Sequence, residues 1–97
     1  MLGFNRRFAP LVVRMRQLLQ ACAEPAHFVM TVNAGAIPAD HWTRDPGVGG
    51  GRIVGEACHF VDLVSFLAGA RVVRVQAERL PDDGAVAMLR FADASTA

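Results

Sequence analysis

The stretch that decides the fold of this chain is residues 45–62, DPGVGGGRIVGEACHFVD, in which a glycine-rich loop opens into a long apolar segment. A helix that is hydrophobic on nearly every side is a buried helix. Four polar residues interrupt the apolar pattern: Arg52, Glu56, His59 and Asp62. At about 100° per residue, they fall within roughly a third of the helix circumference. Because buried ionisable groups are costly unless they are paired or used, the sequence predicts a polar site centred on His59.

Length and composition indicate one small domain or a piece of a larger one. The chain has 97 residues, is 53% hydrophobic and carries a net charge of +1, which supports a real core. The mixed charge does not indicate a nucleic-acid or anionic-membrane partner. No apolar run reaches the ~20 residues of a membrane-spanning helix. Cys22 and Cys58 are interpreted as small core residues in a reducing compartment, so we expect a soluble cytoplasmic protein.

Apolar periodicity predicts an α+β fold with two helices and three strands. The spacing predicts an amphipathic helix over 8–23 and the central helix over 51–67, which Gly69 is placed to cap. β-rich stretches predict strands over 27–33, 71–80 and 85–91, and the last two form a hairpin around the turn at 81–84. Because the elements do not alternate as a parallel sheet requires, we expect an incomplete, mostly antiparallel sheet with two helices packed on one face.

Details of side-chain placement follow from the same patterns. Strict alternation puts Val75 on one face of the first hairpin strand and Val72 on the other. Residues 34–50 are predicted to form a long ordered loop that Trp42 anchors. The pair Arg6–Arg7 is interpreted as solvated, or as a contact to a further domain.

Two absences exclude nucleotide-binding machinery from this chain. All ten basic residues are arginines, which excludes a lysine-dependent P-loop. Residues 47–52, GVGGGR, fail the Gly-x-Gly-x-x-Gly spacing because the sixth position is Arg52, and they do not follow an apolar strand. The scattered histidines and cysteines lack the spacing of metal ligands, so no metal site is predicted.

Residues 45–62 resemble the helix that opens the second domain of the Gfo/Idh/MocA family of NAD(P)-dependent sugar and inositol oxidoreductases. That family's pattern is three glycines, then an aspartate four residues on, a histidine eight on and a second aspartate eleven on. Counted from the third glycine, His59 and Asp62 match. Gly55 stands in the first aspartate position, and Glu56 follows one residue later.

Two further stretches carry the same resemblance. Residues 3–10 are similar to the end of the family's nucleotide-binding domain, and residues 32–42 to a loop bordering its substrate pocket. The resemblance implies that 1–97 is a partial C-terminal domain, without the Rossmann domain that holds NAD or NADP in a complete enzyme. It also implies that the family's catalytic lysine lies outside this chain.

The resemblance implies a catalytic role for His59 as general acid/base on a substrate hydroxyl beside the nicotinamide, with Asp62 or Glu56 fixing its tautomer. Each residue has a structural alternative: a core histidine satisfied by a neighbour, a plain structural carboxylate at Asp62, and an ion pair of Glu56 with Arg52. Gly50 and Gly51 either let the backbone approach the cofactor or form a tight turn in a flexible loop.

Substrate contacts are predicted in the loop, where amide, carboxylate and aromatic groups suit a polyhydroxylated ligand. The candidate residues are Asn33, Asp40, His41, Trp42 and Arg44. The alternative is that they only order the loop.

Two functions remain open from the sequence. The first is the substrate-binding and catalytic fragment of an NAD(P)-dependent oxidoreductase acting on a sugar or cyclitol hydroxyl. It would lack activity and bound cofactor when isolated, need the missing Rossmann domain, and form homo-oligomers through its sheet. The alternative is a stand-alone, non-catalytic module for dimerisation or ligand binding, which the exposed edge of an unfinished sheet favours.

Overall fold

The N-terminal helix is shorter than its apolar pattern. The structure, a computed structural model, describes residues 3–45, 47–81 and 84–97. A 3-10 turn over Arg6–Phe8 leads into helix α1, Pro10–Gln20, whose proline lies in the first turn, where no amide donor is needed. No residue of α1 is buried, and Leu11 is 80% exposed, so much of its apolar face is uncovered.

The central helix begins with an irregular turn. A π-helical turn over Ile53–Ala57 continues into helix α2, Cys58–Ala68, where the sequence predicts one regular helix. Gly55 lies inside this turn, and a residue without Cβ lowers the preference for α geometry. Gly69 ends α2 with φ of +70°, which confirms the predicted left-handed cap. No helix in the described ranges is long and apolar enough to cross a membrane.

The predicted hairpin is confirmed. Strands β1, Val72–Arg79, and β2, Ala85–Phe91, pair antiparallel. A bulge between Val72 and Arg74 places Val72 opposite Phe91. Val72 therefore lies on the same face of the sheet as Val75, whereas strict alternation predicts opposite faces. The connecting turn includes residues 82 and 83, which lie outside the described residues.

The core lies where α2 packs on β2. Among the described residues, the buried hydrophobic side chains are Val64 and Leu67 from α2 and Leu89 and Phe91 from β2. Arg16 joins α1 to α2 by donating from Nη1 to the Leu67 carbonyl at 2.9 Å. Cys22 and Cys58 are free thiols, and the core prediction is wrong for the exposed Cys22. Two helices and an open antiparallel sheet confirm the α+β class.

The prediction of a strand over 27–33 is wrong. His27 forms an isolated parallel bridge with Thr96, and no strand follows it. Within the described ranges, residues 29–37 take part in no backbone hydrogen bond. Since a strand is defined by pairing with a neighbour, a β-rich sequence without that neighbour stays irregular.

Candidate functional site

The glycine loop before α2 is organised around Asp45. The Asp45 carbonyl accepts hydrogen bonds from the amides of Val48, Gly49 and Gly50 at 3.2, 2.9 and 3.1 Å. Its Oδ1 atom accepts from the Gly47 amide at 2.7 Å. The loop is therefore a closed turn whose amides are used internally, and it differs from an open cradle for phosphate oxygens.

Gly49 fixes this turn against the preceding loop. A Cβ at this position would lie 2.7 Å from the backbone carbon and oxygen of Thr43, closer than real Cβ atoms approach. Thr43 belongs to the short 3-10 turn Trp42–Arg44. The glycine-rich segment and the predicted substrate loop are thus packed backbone to backbone, which places both at the start of the central helix.

His59 lies in the first turn of α2 with one nitrogen unsatisfied. Its ring meets the edge of Phe4, with centroids 5.6 Å apart and planes at 81°. The Nδ1 atom is buried and has no hydrogen-bond partner among the described residues. Leaving a buried polar atom unpaired costs about 1–3 kcal/mol. Such an atom is therefore a place where a ligand gains affinity by supplying the missing partner.

Asp62 is bound by Arg7 rather than by His59. The Arg7 Nε atom donates to Asp62 Oδ2 at 3.0 Å, and Nη2 donates to Oδ1. The Asp62 side chain is only 9% exposed. The hydrogen bond to Asp62 raises the pKa of the Arg7 guanidinium. The interpretation of Arg7 as solvated is wrong, because this fork clamps the N-terminal turn to α2.

Arg6 contacts the same helix, with its guanidinium carbon 4.2 Å from the centroid of the Phe60 ring. No periodic pattern in the sequence links Arg6 or Arg7 to α2. Sequence reasoning missed Arg7 and Phe4 because both reach α2 through contacts more than fifty positions apart. Asp62, a carboxylate in a helix predicted to be buried, was the sequence feature that indicated a basic partner.

Glu56 forms the predicted ion pair with Arg52, at 3.4 Å between Oε2 and Nε. The two atoms are within ion-pair distance but not in hydrogen-bond geometry, since the Arg52 Nε atom is buried without a hydrogen-bond partner. Both side chains line an apolar groove beside α2, which His59 does not line. The polar stripe predicted from the sequence is therefore divided: Glu56 and Asp62 each have an arginine partner, and His59 has neither carboxylate.

The predicted substrate residues lie in an exposed loop. His41 Nδ1 accepts from the Thr43 amide at 3.4 Å and lies 2.8 Å from its hydroxyl, so His41 caps the short turn. Trp42 is 61% exposed and stacks obliquely on the His41 ring, with centroids 5.7 Å apart. The contact of Trp42 is therefore with a neighbouring residue of the same loop. Among the contacts of the described residues, none joins His59 to four of these loop residues: Asn33, Asp40, His41 and Trp42.

Comparison with known proteins gives one match. Residues 12–97 match the sequence model of the GFO/IDH/MocA C-terminal domain. No curated protein matches the chain. No solved structure matches it either.

Proposed function

Because this chain belongs to the GFO/IDH/MocA C-terminal domain family, we propose that it forms the substrate side of an NAD(P)-dependent oxidoreductase acting on a sugar or cyclitol hydroxyl. The family is generally NAD(P)-dependent, and its C-terminal domain implies a Rossmann partner domain. The uncovered apolar face of α1, with Leu11 and Leu18 exposed, supports packing against such a partner. When bound, the nicotinamide supplies the hydride acceptor or donor.

The unpartnered Nδ1 atom of His59 is the observation that carries the proposal. An imidazole can take a proton from a hydroxyl and return it, which is the role of a general acid/base. In the proposed mechanism, His59 takes the proton of the substrate hydroxyl while hydride leaves the carbon that bears this hydroxyl, so that the carbon–oxygen bond becomes a carbonyl. The substrate oxygen gives the imidazole the hydrogen-bond partner that the described residues do not provide.

Asp62 acts as a positioning residue in this mechanism. Its fork with Arg7 holds the N-terminal turn, and Phe4 in that segment packs on the His59 ring. Glu56 is the second candidate for proton transfer, with its side chain half-exposed in an ion pair with Arg52. The pair is loose enough for Glu56 to reach a ligand.

Contacts to the cofactor are assigned to Gly50 and Gly51, which carry no side chain and have φ of +66° and +76°. A flat ring can lie against such a backbone. The loop amides of residues 48–50 already donate to Asp45, so the phosphates are assigned to the partner domain. Substrate contacts are assigned to five exposed residues of the neighbouring loop: Asn33, Asp40, His41, Trp42 and Arg44.

Self-association through the sheet is part of the same proposal. Val73, Val75, Val86 and Met88 expose about half of their surface on the two strands. Apolar side chains exposed on an open two-stranded sheet support association with another subunit. Sedimentation velocity of the isolated chain tests it, and a purely monomeric protein at all concentrations would contradict it.

Titration of the imidazoles with polyols tests the function. In protein labelled with ¹⁵N, His59 resonances should move saturably on addition of sugars or cyclitols, while His27, whose ring bonds to Thr96, should not respond. His59→Gln should abolish saturable binding and the matched control His27→Gln should retain it. If no polyol perturbs His59, or if binding survives His59→Gln unchanged, the proposed role is wrong.

A further inference from the structure

The β1–β2 hairpin has one face that packs on the helices and one face that does not. Leu89 and Phe91 are buried in the core cluster beside α2. Because side chains alternate along a strand, Val86, Met88 and Arg90 lie on the opposite face, which we call the outer face. All three are exposed. Strand pairing at the edges of the sheet does not cover this face, since its side chains stand out of the sheet plane.

Two arginines lie directly opposite each other on the outer face. The register pairs Arg74 of β1 with Arg90 of β2. Both side chains are exposed, and neither forms an ion pair or a hydrogen bond with a described residue. Like charges directly opposite on a sheet are destabilising. A carboxylate placed between the two guanidinium groups relieves this repulsion, because its oxygens can accept hydrogen bonds from both.

A carboxylate stands on the same face at the other end of β1. Arg74, Gln76 and Glu78 occupy alternate positions, and Gln76 lies opposite Met88. Glu78 is exposed and forms no ion pair with a described residue. It follows Gln76 by the same distance, about 6.6 Å, by which Arg74 precedes it. The outer face is therefore positive at one end, negative at the other and uncharged between them.

We propose that the outer face docks the outer face of a second copy, with Glu78 of each copy between Arg74 and Arg90 of the other. This geometry rests on the association through the sheet that the proposed function includes. A two-fold axis near Gln76, between the sheets and perpendicular to the strands, brings each charged end over the opposite end of the other copy. Packed sheets lie about 10 Å apart, which an arginine and a glutamate side chain together can span.

Charge also excludes the alternative symmetric arrangement. A two-fold axis parallel to the strands keeps each residue at the same height along them, so it brings arginines over arginines and Glu78 over Glu78. Like charges brought together across an interface suppress that pairing. The charges on this face therefore select both the occupant and its direction.

Sedimentation equilibrium of two complementary variants tests the pairing. One variant carries Glu78→Arg, and the other carries Arg74→Glu together with Arg90→Glu. Each variant alone has like charges at both contacts, so its self-association should be at least about tenfold weaker than that of the unchanged chain. An equimolar mixture has opposite charges at both contacts and should recover the association, with one copy of each variant in the dimer. Recovery in the mixture also shows that both variants fold.

A control variant separates this pairing from attraction between opposite net charges. It carries Arg14→Glu, Gln17→Glu and Gln20→Glu, all exposed on α1, and changes the net charge by the same amount as the double arginine variant. Mixed with the Glu78→Arg variant, it should associate at least about tenfold more weakly than the complementary pair does, since one of its two contacts joins like charges.

Salt dependence tests the same contact without any substitution. Self-association of the unchanged chain should be about fivefold or more weaker at ~0.5 M than at ~0.05 M sodium chloride, because salt screens exposed ion pairs. Association that salt leaves unchanged or strengthens would show an apolar contact and overturn the pairing.

Two further results would overturn the proposal. If the complementary mixture associates no better than the control mixture, the pairing is wrong, while self-association of the unchanged chain still supports the proposed contact through the sheet. If the unchanged chain is monomeric at all concentrations, the pairing and the association are both wrong. The role proposed for His59 is tested separately by the polyol titration.

Discussion

Gly69→Ala is a substitution for which the structure predicts a large loss of stability from one methyl group, with two separable causes. Gly69 ends α2 with φ of +70°, a conformation that costs an alanine about 1–2 kcal/mol. The added Cβ would also overlap the guanidinium of Arg16. That guanidinium donates to the Leu67 carbonyl at 2.9 Å, one of the carbonyls that the end of a helix leaves unpaired.

The magnitude combines both effects. Arg16 has a flexible side chain, so it moves aside and loses its bond to Leu67. A hydrogen bond from a charged group contributes about 1.5–3 kcal/mol, and the lower value suits this part-buried site. Together with the conformational strain, Gly69→Ala should lower the free energy of unfolding by about 2.5–3.5 kcal/mol. At about 4–8 °C per kcal/mol for a domain of this size, Tm should fall by at least ~10 °C.

A double-mutant cycle with Arg16→Ala, followed by urea unfolding, separates the two effects. Without the guanidinium, Gly69→Ala should cost only the strain of about 1–2 kcal/mol, which leaves a coupling of about 1.5 kcal/mol. Gly35→Ala is the matched control, since Gly35 has φ of +72° with nothing within 4 Å of a Cβ. If Gly69→Ala costs the same with and without Arg16, the assigned contact is wrong.

Further predictions concern the other contacts of α2 and the chemistry. Asp62→Asn and Arg7→Gln should each lower Tm, and the double variant should lose less than their sum, because each single change leaves one partner of the fork unpaired. Leu89→Ala should destabilise by about 2–4 kcal/mol in urea, since Leu89 is buried against α2. Glu56→Gln should change stability by less than about 0.5 kcal/mol, because the Glu56 side chain is half-exposed and makes no hydrogen bond to Arg52. The purified chain should show no hydride transfer in a nicotinamide absorbance assay with any polyol, and measurable turnover would refute this.

Local signals in the sequence predicted the parts of the fold whose partners are near in the chain. The hairpin needs only its own two strands, and Gly69 caps the helix that precedes it. The bulge beside Val72 was not predictable, because one extra residue in β1 is fixed by its pairing with β2 and leaves no composition signal. The π-helical turn around Gly55 was not predictable either, because the apolar residues on both sides of it follow the regular α-helical period.

The candidate site was predictable in its residue types and not in its pairing. Spacing on a helix placed Arg52 beside Glu56, and the ion pair is present. It also placed Asp62 near His59, but a residue from another segment, Arg7, binds that carboxylate. Periodicity describes a single helix, so it cannot show which distant arginine pairs with a carboxylate on that helix.

The disagreements at His59 and at residues 27–33 have one physical cause. In both places the sequence carries polar groups that need hydrogen-bond partners: an imidazole nitrogen in an apolar helix and backbone amides in a β-rich segment. The described chain supplies neither, as Nδ1 of His59 and the backbone of 29–37 have no hydrogen-bond partners there. Buried or edge polar groups are stable only when paired, so a residue pattern that anticipates pairing points to a partner beyond these contacts. In the proposed function, the substrate oxygen is the hydrogen-bond partner that Nδ1 of His59 lacks among the described residues.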